Sequence, residues 1–124
     1  MAQILIVDDS KFARTQTRIQ LEQLGHDVLE SEDGAKGIEI ADREAPDLVV
    51  LDLLMPNMQG IAVLEELRQR DEPLPVIVMT ADPQRQTREQ CTSLGAAAVI
   101  NKYQDPDALA DAINQVLGTS EVHQ

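Results

Sequence analysis

The chain has 124 residues and a formal net charge of −12. The length suits one domain, and the charge argues against direct binding of nucleic acid or anionic membrane, which needs clustered Lys and Arg. Hydrophobic residues make up 43% and aromatic residues 2% (Phe12 and Tyr103), so the core is expected to be aliphatic, with no stacking platform for bases or a flavin ring.

The first apolar run, Ile4-Leu5-Ile6-Val7, lies in a strand predicted from Gln3 to Val7 and ends in Asp8 and Asp9. Ser10 caps the next helix, whose apolar positions are Phe12, Ala13, Ile19, Leu21 and Leu24, and Gly25 stops it. A short, weaker strand is predicted from His26 to Glu30. Asp33 caps a second helix, with Ala35, Ile38, Ile40 and Ala41 inward, and Pro46 follows its end. The third strand, Leu48 to Leu51, runs into Asp52. A loop containing Met55 to Gly60 leads to a helix with Ile61, Val63, Leu64 and Leu67. Strand four, Val76 to Met79, runs into Thr80 and Ala81. Asp82-Pro83 reads as an N-cap and N1 proline opening a helix that ends at Gly95, with Cys91 as a packing residue. Strand five, Ala97 to Ile100, runs into Asn101 and Lys102. Asp105-Pro106 repeats the cap-plus-proline pattern before a last helix with Leu109, Ala112, Ile113, Val116 and Leu117. Residues 1–118 form the expected domain and 119–124 a flexible tail.

Strands alternate with helices five times, which predicts a doubly wound (βα)5 α/β fold with helices on both faces of a parallel sheet. The single cysteine leaves no intrachain disulfide. No signal-peptide pattern precedes the first strand, and no apolar run approaches the ~18 residues of a membrane helix. A cytoplasmic location is expected.

The polar ends of these runs gather at the carboxyl edge of the sheet, where open α/β folds bind ligands. Asp8, Asp9 and Asp52 repel one another unless a cation lies between them. Oxygen-only ligation favours Mg²⁺ or Mn²⁺ over zinc, and His26 and His123 fall elsewhere. Helix capping is the simpler reading of the paired acids, although a cap needs only one. Asp52 follows four apolar residues, so its charge needs Mg²⁺ or Lys102 nearby. Such an aspartate can attack phosphorus and become an acyl phosphate. Mg²⁺, Lys102, the Thr80 hydroxyl and the Ala81 N–H would then share the charge on the transferring oxygens. Taken singly, Thr80 reads as a helix cap and Lys102 as a solvated lysine.

Taken in order, Ile6-Val7-Asp8-Asp9-Ser10, Leu51-Asp52-Leu53-Leu54-Met55-Pro56 with Gly60, Met79-Thr80-Ala81, Leu94-Gly95-Ala96 and Asn101-Lys102 carry a resemblance. From about Gln3 to Leu117 the chain resembles the receiver domain of two-component response regulators, nearest to the single-domain, CheY-like type. The resemblance implies a flavodoxin-like three-layer sandwich with strand order 2-1-3-4-5. It implies that a histidine kinase or phosphotransfer protein phosphorylates Asp52. It also implies Mg²⁺ held by Asp9, Asp52 and the Leu54 backbone carbonyl, with Asp8 acting through water. Thr80 and Lys102 would contact the phosphoryl oxygens. A downstream target protein and a phosphatase are the further partners implied, in a signalling role such as chemotaxis. Catalysis would be limited to self-catalysed phosphoryl transfer and autodephosphorylation, so the chain is not expected to be an enzyme in its own right.

Two positions depart from the family pattern. Val99 stands where receivers usually carry an aromatic switch residue, and Tyr103 follows Lys102 where proline is usual. A flavodoxin-like electron carrier would need a Ser/Thr/Gly-rich phosphate loop and ring-flanking aromatics. A haloacid-dehalogenase-like phosphatase would need an acid where Leu54 stands. A phosphorylation-independent interaction module and a receiver cut from a longer regulator remain as alternatives.

Overall fold

A computed structural model of the chain describes residues 2–53, 60–70, 73–81, 84–102 and 106–118. In chain order it contains β1 (Gln3–Val7), α1 (Lys11–Gln23), β2 (Asp27–Ser31), α2 (Gly34–Glu44), β3 (Leu48–Asp52), α3 (Gly60–Arg68), β4 (Val76–Thr80), α4 (Arg85–Ser93), β5 (Ala98–Asn101) and α5 (Pro106–Leu117). All strand pairs are parallel, in the expected order β2-β1-β3-β4-β5.

Side chains alternate across a strand, so each strand feeds both faces of the sheet. Leu5, Val7, Val49, Leu51, Val76 and Val78 face one way and pack with Ala41, Val63, Leu64, Leu67 and Cys91 from α2, α3 and α4. Ile4, Ile6, Leu48, Val50, Ile77 and Met79 face the other way, onto Leu21 of α1 and Leu109, Ala112 and Ile113 of α5. Every residue of β3 and β4 is buried, as expected of inner strands covered on both sides. Each fully buried aliphatic side chain contributes about 1.5–3 kcal/mol.

The caps at Ser10 and Asp33 are formed: Ser10 Oγ accepts from Ala13 N at 3.2 Å and Asp33 Oδ1 from Lys36 N at 2.8 Å. Several boundaries differ from the sequence reading. β2 runs to Ser31, whose carbonyl accepts the Asp8 N–H at 3.1 Å and so extends the ladder past Glu30. β5 includes Asn101, which pairs with Thr80. α4 starts at Arg85 with Gln84 as N-cap and no side-chain cap bond; Asp82, Pro83 and Asp105 lie outside the described residues.

The structure also shows which apolar positions of α1 are buried, and it corrects one inward assignment on α2. On α1 the buried row is Ala13, Thr17 and Leu21, while Phe12, Ile19 and Leu24 are 72%, 44% and 47% exposed. The buried residues fall at i, i+4 and i+8, one line along the helix, and Phe12 and Ile19 stand off that line. On α2 Ala35 is exposed and Gly37 is buried instead. A Cβ at Gly37 would lie 2.8 Å from Val7 Cγ2, so the helix sits on β1 at a distance only glycine permits.

Candidate functional site: an acidic pocket at the carboxyl edge of the sheet

Val7 pairs with Leu51 across β1 and β3, so the residues that follow, Asp8 and Asp52, emerge side by side. Asp8 and Asp52 are buried and Asp9 is exposed; one carboxylate oxygen from each lies within 4.8 Å of the others. The donor set is all oxygen. That suits a hard divalent cation such as Mg²⁺ and not zinc, which favours nitrogen and sulfur.

Lys102 closes the pocket from the β5 side. Its Nζ lies 2.8 Å from Asp8 Oδ2 and 3.4 Å from Asp52 Oδ2, and its side chain is 8% exposed. A buried carboxylate pair needs such a countercharge. The backbone aims the lysine: Lys102 N–H donates to the Thr80 carbonyl at 2.9 Å. Thr80 is itself buried at the end of β4, and Ala81 beyond it is exposed. The turn after β1 is pinned as well. Asp8 Oδ1 accepts from Ser10 N at 2.9 Å, and the Asp8 carbonyl accepts from Arg14 Nη1 at 2.8 Å.

Gly60 brings α3 against the end of β3, with its N–H donating to the Leu53 carbonyl at 3.0 Å. A Cβ there would lie 2.4 Å from Leu53 Cα and 2.7 Å from the Asp52 carbonyl oxygen. Between α1 and α5 a groove of about 710 Å³ is lined by Phe12, Met79, Lys102 and Asp107 among others, so one wall of Lys102 faces solvent-accessible space.

The structure thus brings together Asp8, Asp9, Asp52, Thr80, Ala81 and Lys102 at one edge. The Leu54 carbonyl and Tyr103 lie outside the described residues. The sequence reading missed Arg14 and its partner Glu30. Arg14 and Arg18 sit one turn apart, which was a visible signal, but their shared acid on β2 becomes visible only with the strand register. Away from the site, burial raises the Cys91 thiol pKa, in keeping with a packing role. Burial, followed by the N-terminal charge, lowers that of His26.

The sequence profile described as the response regulator receiver domain matches residues 4–114. The chain belongs to that family. Among receiver proteins, PilH of Pseudomonas aeruginosa is 36% identical over 119 residues, which cover 94% of this chain and 98% of PilH. Chemotaxis protein CheY of Bacillus subtilis is 36% identical over 115 residues, covering 92% of this chain and 96% of CheY. The solved structure of a CheY-like receiver domain protein from Methanospirillum hungatei matches with a TM-score of 0.88 and 26% identity, covering 98% of each chain. The chain spans about half the length of other curated relatives it matches, which are transcriptional regulators.

In this receiver domain Val99, the position that departs from the aromatic pattern, is half-buried on β5. Its carbonyl accepts from Arg88 Nη1 of α4 at 2.6 Å. At this position the Arg88 side chain of α4 thus reaches the backbone of β5, while the Val99 side chain packs against the core. Among the described residues no helix is long and apolar enough to cross a membrane.

Proposed function

We propose that this receiver domain is a phosphorylation-controlled switch. Asp52 takes a phosphoryl group from a histidine kinase or phosphotransfer protein in the presence of Mg²⁺, and the altered surface changes binding of a downstream protein. The observation that carries the reading is the Lys102 ammonium held between buried Asp8 and Asp52, with Asp9 beside them.

In the transfer, an Asp52 carboxylate oxygen forms the new bond to phosphorus. The phosphorus–nitrogen bond of the donor phosphohistidine breaks, and the nitrogen keeps the electron pair. Asp9 and Asp52, with Asp8 close by, are the residues that would hold the cation. Mg²⁺ supplies charge neutralisation for the transferring oxygens when bound. Lys102 needs little travel to follow the charge, since its Nζ already lies 3.4 Å from Asp52 Oδ2. The Thr80 hydroxyl, at the end of the neighbouring strand, donates to a phosphoryl oxygen, and the Ala81 N–H does the same. Ala81 leaves room for the donor because its side chain is a methyl group.

Phosphorylation adds negative charge and strong acceptors at the ends of β3, β4 and β5. Thr80 and Lys102 respond, and the strands that carry them continue toward α4 and α5. With valine at position 99, the response travels through contacts such as the Arg88 guanidinium donating to the Val99 carbonyl instead of an aromatic side chain. The setting is the cytoplasm, and the similarity to chemotaxis protein CheY supports a signalling role of the chemotaxis type.

Acetyl phosphate with Mg²⁺, followed by borohydride reduction and mass spectrometry, tests the assignment. The label is expected on Asp52 alone and lost in Asp52→Asn. Undiminished label in that variant would refute it, and no label in the wild type would favour a phosphorylation-independent binding module.

A further inference from the structure

Arg14 reaches from α1 in two directions. Its Nη1 donates to the carbonyl of Asp8 at 2.8 Å, and its Nε meets Glu30 Oε1 at 2.9 Å. The other oxygen of Glu30 receives Arg18 Nη1 at 2.6 Å. The Arg14 side chain is 13% exposed and that of Glu30 is 26% exposed, so these contacts are shielded from full solvent screening. Glu30 lies in β2 opposite Ile6 of β1, and its backbone is fixed in the sheet.

The carbonyl that Arg14 holds belongs to the peptide joining Asp8 to Asp9. A peptide unit is planar, so fixing its oxygen fixes the direction of its N–H and of the following Cα. Asp9 is the exposed member of the acid cluster and lacks the packing that orients Asp8 and Asp52. Its aim depends on the turn that carries it. A run of contacts therefore leads from β2 through Glu30 and Arg14 to the one acid that the core does not hold.

We propose that Arg14, aimed by Glu30, is a positioning residue for divalent-cation binding: it locks the Asp8–Asp9 peptide so that the Asp9 carboxylate stays beside Asp8 and Asp52. The inference rests on the reading of the pocket as a Mg²⁺ site. A purely electrostatic role predicts the opposite sign, because a nearby cation repels Mg²⁺ and its removal would tighten binding. A purely structural staple predicts lower stability with no change in affinity. Arg18 supplies the control, since it grips the same glutamate and does not touch Asp8.

The test compares the full chain with Arg14→Gln, Arg14→Lys and Arg18→Gln by Mg²⁺ calorimetry, thermal melting and the amide shift of Asp9 in metal-free protein. Arg14→Gln is expected to weaken Mg²⁺ binding about tenfold, at the low end for groups that orient a metal ligand. It is also expected to move the Asp9 amide signal without metal. Arg14→Lys is expected to restore neither, because a single ammonium lacks the rigid fork that serves two separated acceptors. Arg18→Gln is expected to lower the melting temperature and leave Mg²⁺ affinity at the wild-type value. Unchanged or tighter binding in Arg14→Gln, or wild-type behaviour of Arg14→Lys, overturns the proposal. An unmoved Asp9 amide in Arg14→Gln overturns it independently of metal, whereas absence of Mg²⁺ binding by the wild type overturns the reading of the pocket itself.

Discussion

Replacing Gly60 with alanine places one methyl group where no atom fits. The new Cβ would stand 2.4 Å from Leu53 Cα and 2.7 Å from the Asp52 carbonyl oxygen, both backbone atoms that no rotamer change can remove. Ordinary contact begins near 3.4 Å, so the end of β3 and the start of α3 must separate by about 1 Å, the difference between 3.4 and 2.4 Å. Overpacking of this kind costs about 1–3 kcal/mol. At roughly 3–6 °C per kcal/mol for a domain of this size, the melting temperature should fall by about 3–18 °C. The greater effect is expected in chemistry. A shift of about 1 Å in a reacting group can cost on the order of 100-fold in rate, and Asp52 is the residue displaced. Initial rates of labelling by acetyl phosphate at saturating Mg²⁺, measured below the melting transition, should fall 10- to 100-fold. A variant that melts like the wild type and labels at the same rate would show that α3 can yield without moving β3, and the geometric argument would fail.

Lys102→Met should destabilise the metal-free protein by about 3 kcal/mol, since buried Asp8 and Asp52 lose their shared cation. Added Mg²⁺ should recover more stability in this variant than in the wild type, and melting curves with and without the ion check both points. Asp9→Ala should weaken Mg²⁺ binding in calorimetry by about tenfold or more. Without metal it should stabilise the fold by about 1 kcal/mol, because a carboxylate within 4.8 Å of a cluster with net charge of one minus is removed in near-aqueous surroundings. His26 should make stability depend on pH. Its Nδ1 accepts the Ala2 N–H at 3.1 Å, and its pKa is lowered from 6.5, first by burial and then by the N-terminal charge. The unfolded chain thus binds the proton more readily, and stability present above pH 6.5 is lost as pH falls through the folded-state pKa. Denaturant titrations across that interval should show the slope in the wild type and a smaller one in His26→Gln.

The strands were legible because inner strands of a parallel sheet are buried on both faces and read as continuous apolar runs, as Leu48 to Leu51 and Val76 to Met79 do. The site was legible for the same reason: each run ends abruptly in a polar residue, and parallel strands deliver those ends together. Element ends were less readable. Ser31 and Asn101 join strands through backbone pairing with neighbours, which composition does not signal. Hydrophobicity alone does not mark burial on α1, where Phe12 and Ile19 are apolar but exposed and the line Ala13, Thr17, Leu21 is the buried one. Arg14 and Glu30 belong to elements brought together by register, so their bond could not be read along the chain. The Leu54 carbonyl, the Asp82 cap and the departure at Tyr103 fall outside the described residues.

The Lys102 bridge to Asp8 and Asp52 gives the pocket an internal counterion. In domains whose acids or thiols are gathered solely by a metal, losing the ion means losing the fold, and binding energy becomes folding energy. Here the tethered ammonium lets the acids stay folded and close together when no divalent ion is present. On the proposed reading of the pocket, cation exchange would be separated from unfolding: a divalent ion would come and go with its free concentration while the scaffold stays the same.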